Sequence, residues 1–548
     1  MKIKLIDSSD VEIDVLKTYN EFKNLRFKNN LYFKADASLI NNGALKLDQE
    51  HKIVFNNCVF KDGIHFQIYI HNTIENNITI IFKNCVIQEY FDPSFSNNCV
   101  INNDPDLKFS IEFYRCILPD LEFEDSKLEH IFFGNCICYA SQKSRLLFNN
   151  CEINDFQLQN FLGSIFINDQ GKSSVHIRYS DDNIYLERSE FNDFVSTLVK
   201  SIKPTKIFQL ETNYYLNDCK VINFEGIKSG KEKMEKSFNN GLQFFLKRKD
   251  LNLLDIGISI SDKKMVLEKI TITGAWLNGL DLNNISKGKC RFEKCKVNQI
   301  FIHDYTNPDT TLYDIESRGE SSLMEIRDST LADCSLDKVK FGSFNRVSFY
   351  RTSLEKAKFS AVTFPKEIEA LSNIHNPLKK SENYQIEQYE NYRQLSNSLS
   401  SQGNQVLALE MYKRMYESLR KSKTLDWQDK FILCLNNLSN EHGTSISRSL
   451  WLFLGLGTLL LFLFINTTPK EMYIWGWVDF SSFINALNFK VLFVLADPTH
   501  KISTLEELAG GELSTTNYFI SFLSRILMAW IYYQFISAFR KFGKKTSS

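Results

Sequence analysis

The sequence predicts a mainly-β solenoid followed by an α-helical connector and a two-helix transmembrane hairpin. Three observations carry this. Apolar side chains recur with a five-residue period up to Phe364, the period stops at Pro365, and two long, nearly uncharged apolar stretches follow Arg448. A repeat of this kind governs the architecture, because each unit buries its apolar face only against its neighbours.

The period is explicit from Phe113, where Leu118, Phe123, Leu128, Phe133 and Cys138 follow at fixed spacing. The residues two before each, Ile111, Cys116, Leu121, Ser126, Ile131 and Cys136, also avoid charge. The pattern returns at Phe148 and Ile153 (with Leu146 and Cys151), at Leu186 and Phe191, and at Leu216 and Val221. It is clearest at Phe344, Phe349, Leu354, Phe359 and Phe364, preceded by Gly342, Val347, Thr352, Ala357 and Val362.

On these residues the chain resembles the pentapeptide-repeat family. That resemblance implies a right-handed β-helix of square coils, four pentads per turn, with the Leu or Phe and the residue two before it both pointing inward. Strands of successive coils then pair at about 4.8 Å. So narrow a coil has room for one large and one small inward side chain per face, which is what the alternation supplies. The early positions Phe55, Phe60, Phe82 and Ile87 lie in a more β-branched context, which predicts a less regular first half.

These observations divide the chain into an N-terminal segment or cap (1–50), an irregular pentapeptide-like β-helix (51–228), a helical insertion (229–268), and a regular β-helix (269–365). Residues 157–183 and 196–213 break the five-residue frame and read as insertions at coil corners. The stretch from Ser229 to Asp255 reads as an amphipathic helix and loop.

Composition narrows the function classes. Lys plus Arg equals Asp plus Glu at 65 each, so no overall field draws the chain to nucleic acid, and none is expected as a partner. Phenylalanine is abundant at 45 while proline is sparse at 9, which suits stacked aromatic rungs and not disorder. Asparagine recurs beside the apolar positions, as repeated turns require. The charged start MKIKLIDSSDVEID does not resemble a signal peptide, and all 12 cysteines lie at or before Cys434, which points to a reducing compartment.

Cysteine recurs at the small inward position, in NCVF, NCVI, RCIL, NCIC, NCEI, DCKV, KCKV and DCSL. A metal or redox site is one reading; an interior column of small, buried thiols is the plainer one. Cys290 and Cys295 are one pentad apart, which puts them on adjacent faces and not in a chelating pair. No metal and no cofactor are expected.

The helical connector (366–445) contains two helices between Asn383 and Ser422, broken at Gly403-Asn404. Its stretch YRQLSNSLSSQGNQVLALEMYKRMYESLRKS resembles one tetratricopeptide hairpin, with Tyr392, Leu395, Leu399, Gly403, Ala408 and Tyr412 at packing positions. A cap of this kind covers the unpaired edge of a β-helix.

The membrane module (446–548) has a first transmembrane helix over about 449–469 and a second over about 518–539. Between them, Phe480 to Ala496 is a shorter apolar run interrupted by Lys490, and it reads as a re-entrant or interfacial helix with Trp475 and Trp477 at the headgroups. Arg540, Lys541, Lys544 and Lys545 follow the second helix, Lys430 and Arg448 precede the first, and the connection from Lys470 to Asn517 carries three basic and six acidic residues. Positive-inside bias then puts both termini in the cytoplasm.

The layout resembles a two-transmembrane potassium-channel pore, and its combination with pentapeptide repeats resembles a bacterial inner-membrane architecture. Where such a channel has its filter, this chain has Ala496-Asp497-Pro498-Thr499-His500. Candidate functional residues of the module are Arg525, Lys490 and Asp497, since charges near a span mark function by default. Gly455 and Gly457 are candidates for close helix approach.

An enzyme is not expected. The nine histidines are scattered, and the sequence contains no HExxH, Gly-x-Ser-x-Gly or Walker A pattern. Acidic residues fall at variable outward positions, with no pairing at neighbouring coils. The expectation is a membrane-anchored, non-enzymatic binding or scaffold protein, with the lipid bilayer and a protein, or a second copy, as partners. The competing expectation is a gated pore that oligomerises through the hairpin, with the β-helix as sensor.

Overall fold

The structure is a computed structural model that describes separate stretches between residues 4 and 225 and continuous chain over 256–370, 384–468 and 486–543. The chain forms two compact units, residues 1–379 and 380–548.

The first unit is a parallel β-solenoid. One ladder stacks Tyr19–Lys23, His51–Asn56, Asn77–Lys83, Lys108–Tyr114 and Lys127–Gly134. It passes through Arg145–Gln159, Ser174–Arg178 and Val221–Glu225 and ends at Lys358–Ser360. A second ladder runs from Leu121–Glu124 through Ser164–Asp169, Thr212–Asn217, Ile256–Ser261, Trp276–Asn283 and Lys296–His303 to Arg346–Tyr350.

The coil length is regular in one stretch. Lys269 pairs with Lys289, Cys290 with Thr310 and Lys296 with Glu316, so each turn there advances twenty residues. Further on, Gln299 pairs with Leu323 and Leu323 with Arg346, so the turns lengthen. A 3-10 turn at Phe341–Ser343 absorbs part of the excess. It also resets the frame, so Phe341 and Phe344 are both buried.

Inward positions form the core. Ile111, Phe113, Cys116, Leu118, Leu121, Phe123, Leu128, Ile131, Phe133 and Cys136 are all buried, and so are Val347, Phe349, Thr352, Leu354, Ala357, Phe359 and Val362. Phenylalanines stack from coil to coil: Phe55 on Phe82 at 5.1 Å, Phe82 on Phe113 at 4.9 Å and Phe113 on Phe133 at 5.0 Å, with rings within 10° of parallel. Parallel in-register strands impose this spacing, so one phenylalanine per coil at a fixed position builds a continuous aromatic column.

Corners use left-handed residues. Arg115, Asp218, Asn284, Lys294, Asp304, Asp314, Asp328, Lys338 and Arg351 have φ between 47° and 54°. Each is followed by a buried residue: Cys116, Cys219, Ile285, Cys295, Tyr305, Ile315, Ser329, Val339 and Thr352. The turned peptide still pairs, because Asn284 N donates to His303 O and Lys294 N to Tyr313 O in the next coil. Aspartate and asparagine are frequent here because they tolerate this backbone region better than other residues with a Cβ.

Several expectations need correction. Residues 1–50 contribute rungs of the solenoid, since Tyr19–Lys23 pairs with His51–Asn56 in the first ladder and Val11–Asp14 pairs with Leu31–Lys34 in a separate four-stranded sheet. Within 157–183, Ser164–Asp169 and Ser174–Arg178 are in the ladders, and Thr212–Asn217 enters the stretch expected over 196–213. Ile256–Ser261 is a strand and not part of a helical insertion. Gly342 is exposed in the 3-10 turn, and Val221 is half-buried because the frame slips by one after Cys219, bringing Ile222 and Phe224 inward. The β-rich unit extends past Pro365, because Ser348 bridges to Glu369 and Ile368 and Ala370 are buried. Ser126, Leu186, Phe191, the rest of 229–255, Trp475, Trp477 and the start of the run at Phe480 lie outside the described residues, as does the Cys138 side chain.

The second unit is helical. Helices α1 (Tyr384–Ser401) and α2 (Gln405–Lys421) pack as a hairpin over Tyr392, Leu395, Leu399, Ala408 and Met411. Gly403 at φ 80° makes the break, and the Asn404 side chain accepts from Leu407 N at 3.3 Å. Helices α3 (Trp427–Asn440) and α4 (Ile446–Thr467) follow, then α5 (Ala486–Ala496), α6 (Ile502–Ala509) and α7 (Thr515–Gly543). Of these, α4 and α7 are long and apolar enough to cross a membrane.

Candidate functional site

Two polar groupings stand out against the apolar architecture, one in each unit. In the helical unit α4, α5, α6 and α7 share a core of Leu460, Leu461, Phe464, Val491, Leu495, Leu505, Met528 and Ile531. Gly457 lies at this junction: an added Cβ would meet Leu492 at 3.4 Å and Met528 at 3.5 Å. Gly455 faces open space.

Polar groups lock one end of the α4–α7 pair. Asn517 has no exposed surface; its Nδ2 donates to Phe464 O at 3.0 Å and to Thr468 Oγ1 at 2.9 Å. Ser514 Oγ donates to Thr467 O at 3.3 Å. The last carbonyls of a helix lack intrahelical partners, so side chains at the start of α7 supply them.

The three residues singled out in the sequence do not form one site. Lys490 is exposed on α5. Asp497 caps the turn after α5, its carboxylate accepting from Thr499 N at 2.8 Å and Thr499 Oγ1 at 2.7 Å, and these bonds hold its pKa below the usual value. Arg525 is half-buried on α7, and its buried Nε has no hydrogen-bond partner among the described residues.

His500, which sequence reasoning passed over, connects the turn to α7. Its Nδ1 lies 2.6 Å from Asp497 O and its Nε2 2.8 Å from Ser521 Oγ. A carbonyl only accepts, so Nδ1 carries the proton, and in the neutral ring Nε2 accepts from the serine hydroxyl. Burial lowers the His500 pKa, and the nearby Arg525 charge adds to that. The only sequence signal was its place in the Asp497-Pro498-Thr499-His500 stretch.

The solenoid carries the second grouping. Ser259 pairs in register with Asp281, Asp281 with Phe301 and Phe301 with Glu325, on one outward column. The neighbouring column brings Asn283, His303 and Arg327 together. Glu325 is fully buried and His303 nearly so. Ser259 Oγ donates to Asp281 Oδ2 at 3.3 Å. Burial raises the Asp281 pKa and lowers that of His303, with Arg327 adding to the second shift. Both shifts favour the neutral forms beside one guanidinium. The sequence hid this grouping because the coil lengthens between Phe301 and Glu325, so no fixed spacing links the two acids.

The recurrent cysteines are satisfied within the fold. The Cys85 thiol reaches Lys83 O at 3.3 Å and Phe55 O at 3.4 Å, Cys151 reaches Asn149 O and Phe123 O, and Cys295 reaches Glu293 O at 3.3 Å. Thr352 Oγ1 occupies the same role against Tyr350 O and Ile326 O. Burial pushes the Cys295 thiol up to about 12 and those of Cys290 and Cys334 up to about 11. Held protonated, these three thiols are poor nucleophiles and poor ligands, whereas a hydrogen bond from Cys85 lowers the pKa of Cys58. Among the described residues no group of three or more His, Cys, Asp or Glu side chains could hold a metal ion.

Comparison of the chain with protein-family models, with curated proteins and with solved structures gives no match in any of the three.

Proposed function

We propose that this chain is a membrane-anchored, non-enzymatic scaffold: a pentapeptide-repeat-like β-helix presented on the cytoplasmic face of a bacterial inner membrane by a two-span hairpin. The observation that carries the reading is the pairing of a long parallel solenoid with two membrane-length apolar helices. The twenty-residue coil between Lys269 and Glu316 supports the four-pentad interpretation. The solenoid interior is filled by apolar side chains and by thiols and hydroxyls bonded to backbone carbonyls, so recognition falls to its outer surface. On the outward column Asp281 and Glu325 lie two coils apart with Phe301 between them, and Glu325 has no surface to offer a substrate. Basic residues from Arg540 to Lys545 favour cytoplasmic termini. The partner is a protein or a second copy of the chain.

A gated pore is the second reading, favoured by Arg525 within the second span and His500 packed beside it. One experiment separates the two. The hairpin is replaced by an unrelated two-helix anchor with the same topology, and a cytoplasm-dependent reporter at Ser548 verifies orientation. The scaffold reading expects full biological activity from the chimera and no conductance from the native protein in planar bilayers. Loss of activity at normal abundance and correct insertion, together with a conductance altered by Arg525→Glu, would replace it with the pore.

A further inference from the structure

Helix α3 is amphipathic in the inverted sense. Trp427, Phe431 and Leu438 are 74%, 57% and 60% exposed, and Cys434 is exposed with them. At 100° per residue these four positions fall on one stripe about 16 Å long. The opposite side carries the buried Leu433, Ser439 and Asn440, with Ile432 exposed on it nearer the start of the helix.

That polar side is fastened to the hairpin. Asn440 Nδ2 donates to Gln534 O at 3.1 Å and to Gln534 Oε1 at 2.6 Å, and Gln534 Nε2 donates to Asn436 Oδ1 at 3.1 Å. Ser449 Oγ, in the first turn of α4, donates to Ser439 O at 3.1 Å. Between α3 and α4 the chain turns through Glu441, His442 and Gly443, all with positive φ. Glu441 pairs with Arg448 at 2.6 Å and Lys413 at 3.3 Å, and the His442 ring stacks on Tyr416 at 5.2 Å. The geometry therefore fixes α3 against α4 and α7 with its apolar stripe turned away from both.

We propose that α3 lies in the plane of the membrane, its Trp427–Phe431–Cys434–Leu438 stripe seated at the headgroup–acyl boundary of the leaflet where α4 begins. The proposal rests on the reading of α4 and α7 as membrane spans. Continuity argues for lipid as the occupant, because five residues separate the stripe-bearing helix from α4, whose second turn presents Leu450 and Trp451, 47% and 74% exposed. Tryptophan favours that boundary, and an in-plane helix joins an apolar face to a polar one. Charge argues the same way. From Arg420 to Lys430 the chain has four basic and two acidic residues, and this excess suits anionic headgroups. A water-facing helix would have the reverse arrangement, with its asparagines outside and its tryptophan inside.

The test uses the full chain in vesicles containing anionic lipid. A nitroxide is attached at Cys434, with the signal of a Cys434→Ser sample subtracted, and its accessibility to oxygen and to a water-soluble nickel chelate is measured. Leu459→Cys, at an exposed position of α4, and Glu355→Cys, on the solenoid surface, are labelled in the Cys434→Ser background as deep and aqueous references. The expected result is an oxygen-to-nickel ratio at Cys434 several-fold above that at position 355. A ratio equal to that at 355, with position 459 deep, overturns the placement of α3 and leaves the spans standing. Aqueous values at both 434 and 459 overturn the membrane reading itself. Dipolar broadening at Cys434 that disappears on dilution with unlabelled protein overturns the proposal in favour of a second copy.

Discussion

Leu354 has no exposed surface and lies beside Leu331 of the preceding coil, where Leu331 N donates to Ser353 O. A carboxylate there has no water and no donor prepared for it. Leu354→Asp is expected to cost about 3 kcal/mol or more, because it trades a packed side chain for a buried unpaired polar group. Glu355, the next residue, is exposed, and Glu355→Ala is expected to change stability by less than about 0.5 kcal/mol. Chemical denaturation of the two variants checks the contrast; equal tolerance would mean that the inward frame is misplaced. The cysteines obey the same geometry at another position. A small side chain after a left-handed corner meets the carbonyl two residues before it, and thiol, serine and threonine hydroxyl all serve. Side-chain size and one weak donor explain the recurrence of Cys at this position.

At the scale of elements, the corner is the unit that makes the solenoid turn. Asn284 adopts φ 54° while its N–H pairs with His303 O in the next coil, so the corner has to hold a left-handed backbone without losing a ladder bond. Asn284→Gly is expected to be neutral within about 0.5 kcal/mol, whereas Asn284→Val is expected to cost about 1–2 kcal/mol, since a β-branched side chain strains this region. Thermal melts of the two variants read the difference, and a valine as stable as the glycine would remove backbone strain from the account. The inward pairs were legible in the sequence because burial acts at a fixed spacing from one strand to the next. The spacing fails where corners change length. Between Gln299 and Leu323 the coil grows, and with it the register that aligns Asp281, Phe301 and Glu325 leaves the five-residue grid. Strands such as Ser174–Arg178 were missed for the same reason, although Val175 and Ile177 alternate correctly within the strand. The apolar stripe of α3 was present in the sequence, but periodicity does not say which face packs. That needed the bonds from Asn440 and Asn436 to Gln534.

The whole molecule divides at residue 379, and the two units are held by different physics. The solenoid is a quasi-one-dimensional stack in which each coil is stabilised by its neighbours, so damage to one coil spreads along the stack. The helical unit depends on apolar packing around Phe464 and Met528 and on buried amide bonds at both ends of the α4–α7 pair, from Asn517 and Asn440. Separate cores of this kind unfold as separate cooperative units. Scanning calorimetry of the detergent-solubilised chain at one fixed heating rate is therefore expected to show two heat-absorption peaks. Leu354→Asp should lower the temperature of one peak and leave the other in place. Asn440→Ala should do the reverse, because it strips partners from the Gln534 side chain and from Gly443 N inside the helical unit and costs about 1–3 kcal/mol there. A single peak displaced by both substitutions would mean that the solenoid and the helices unfold as one body, and the division of labour between a recognition surface and an anchor would lose its physical basis.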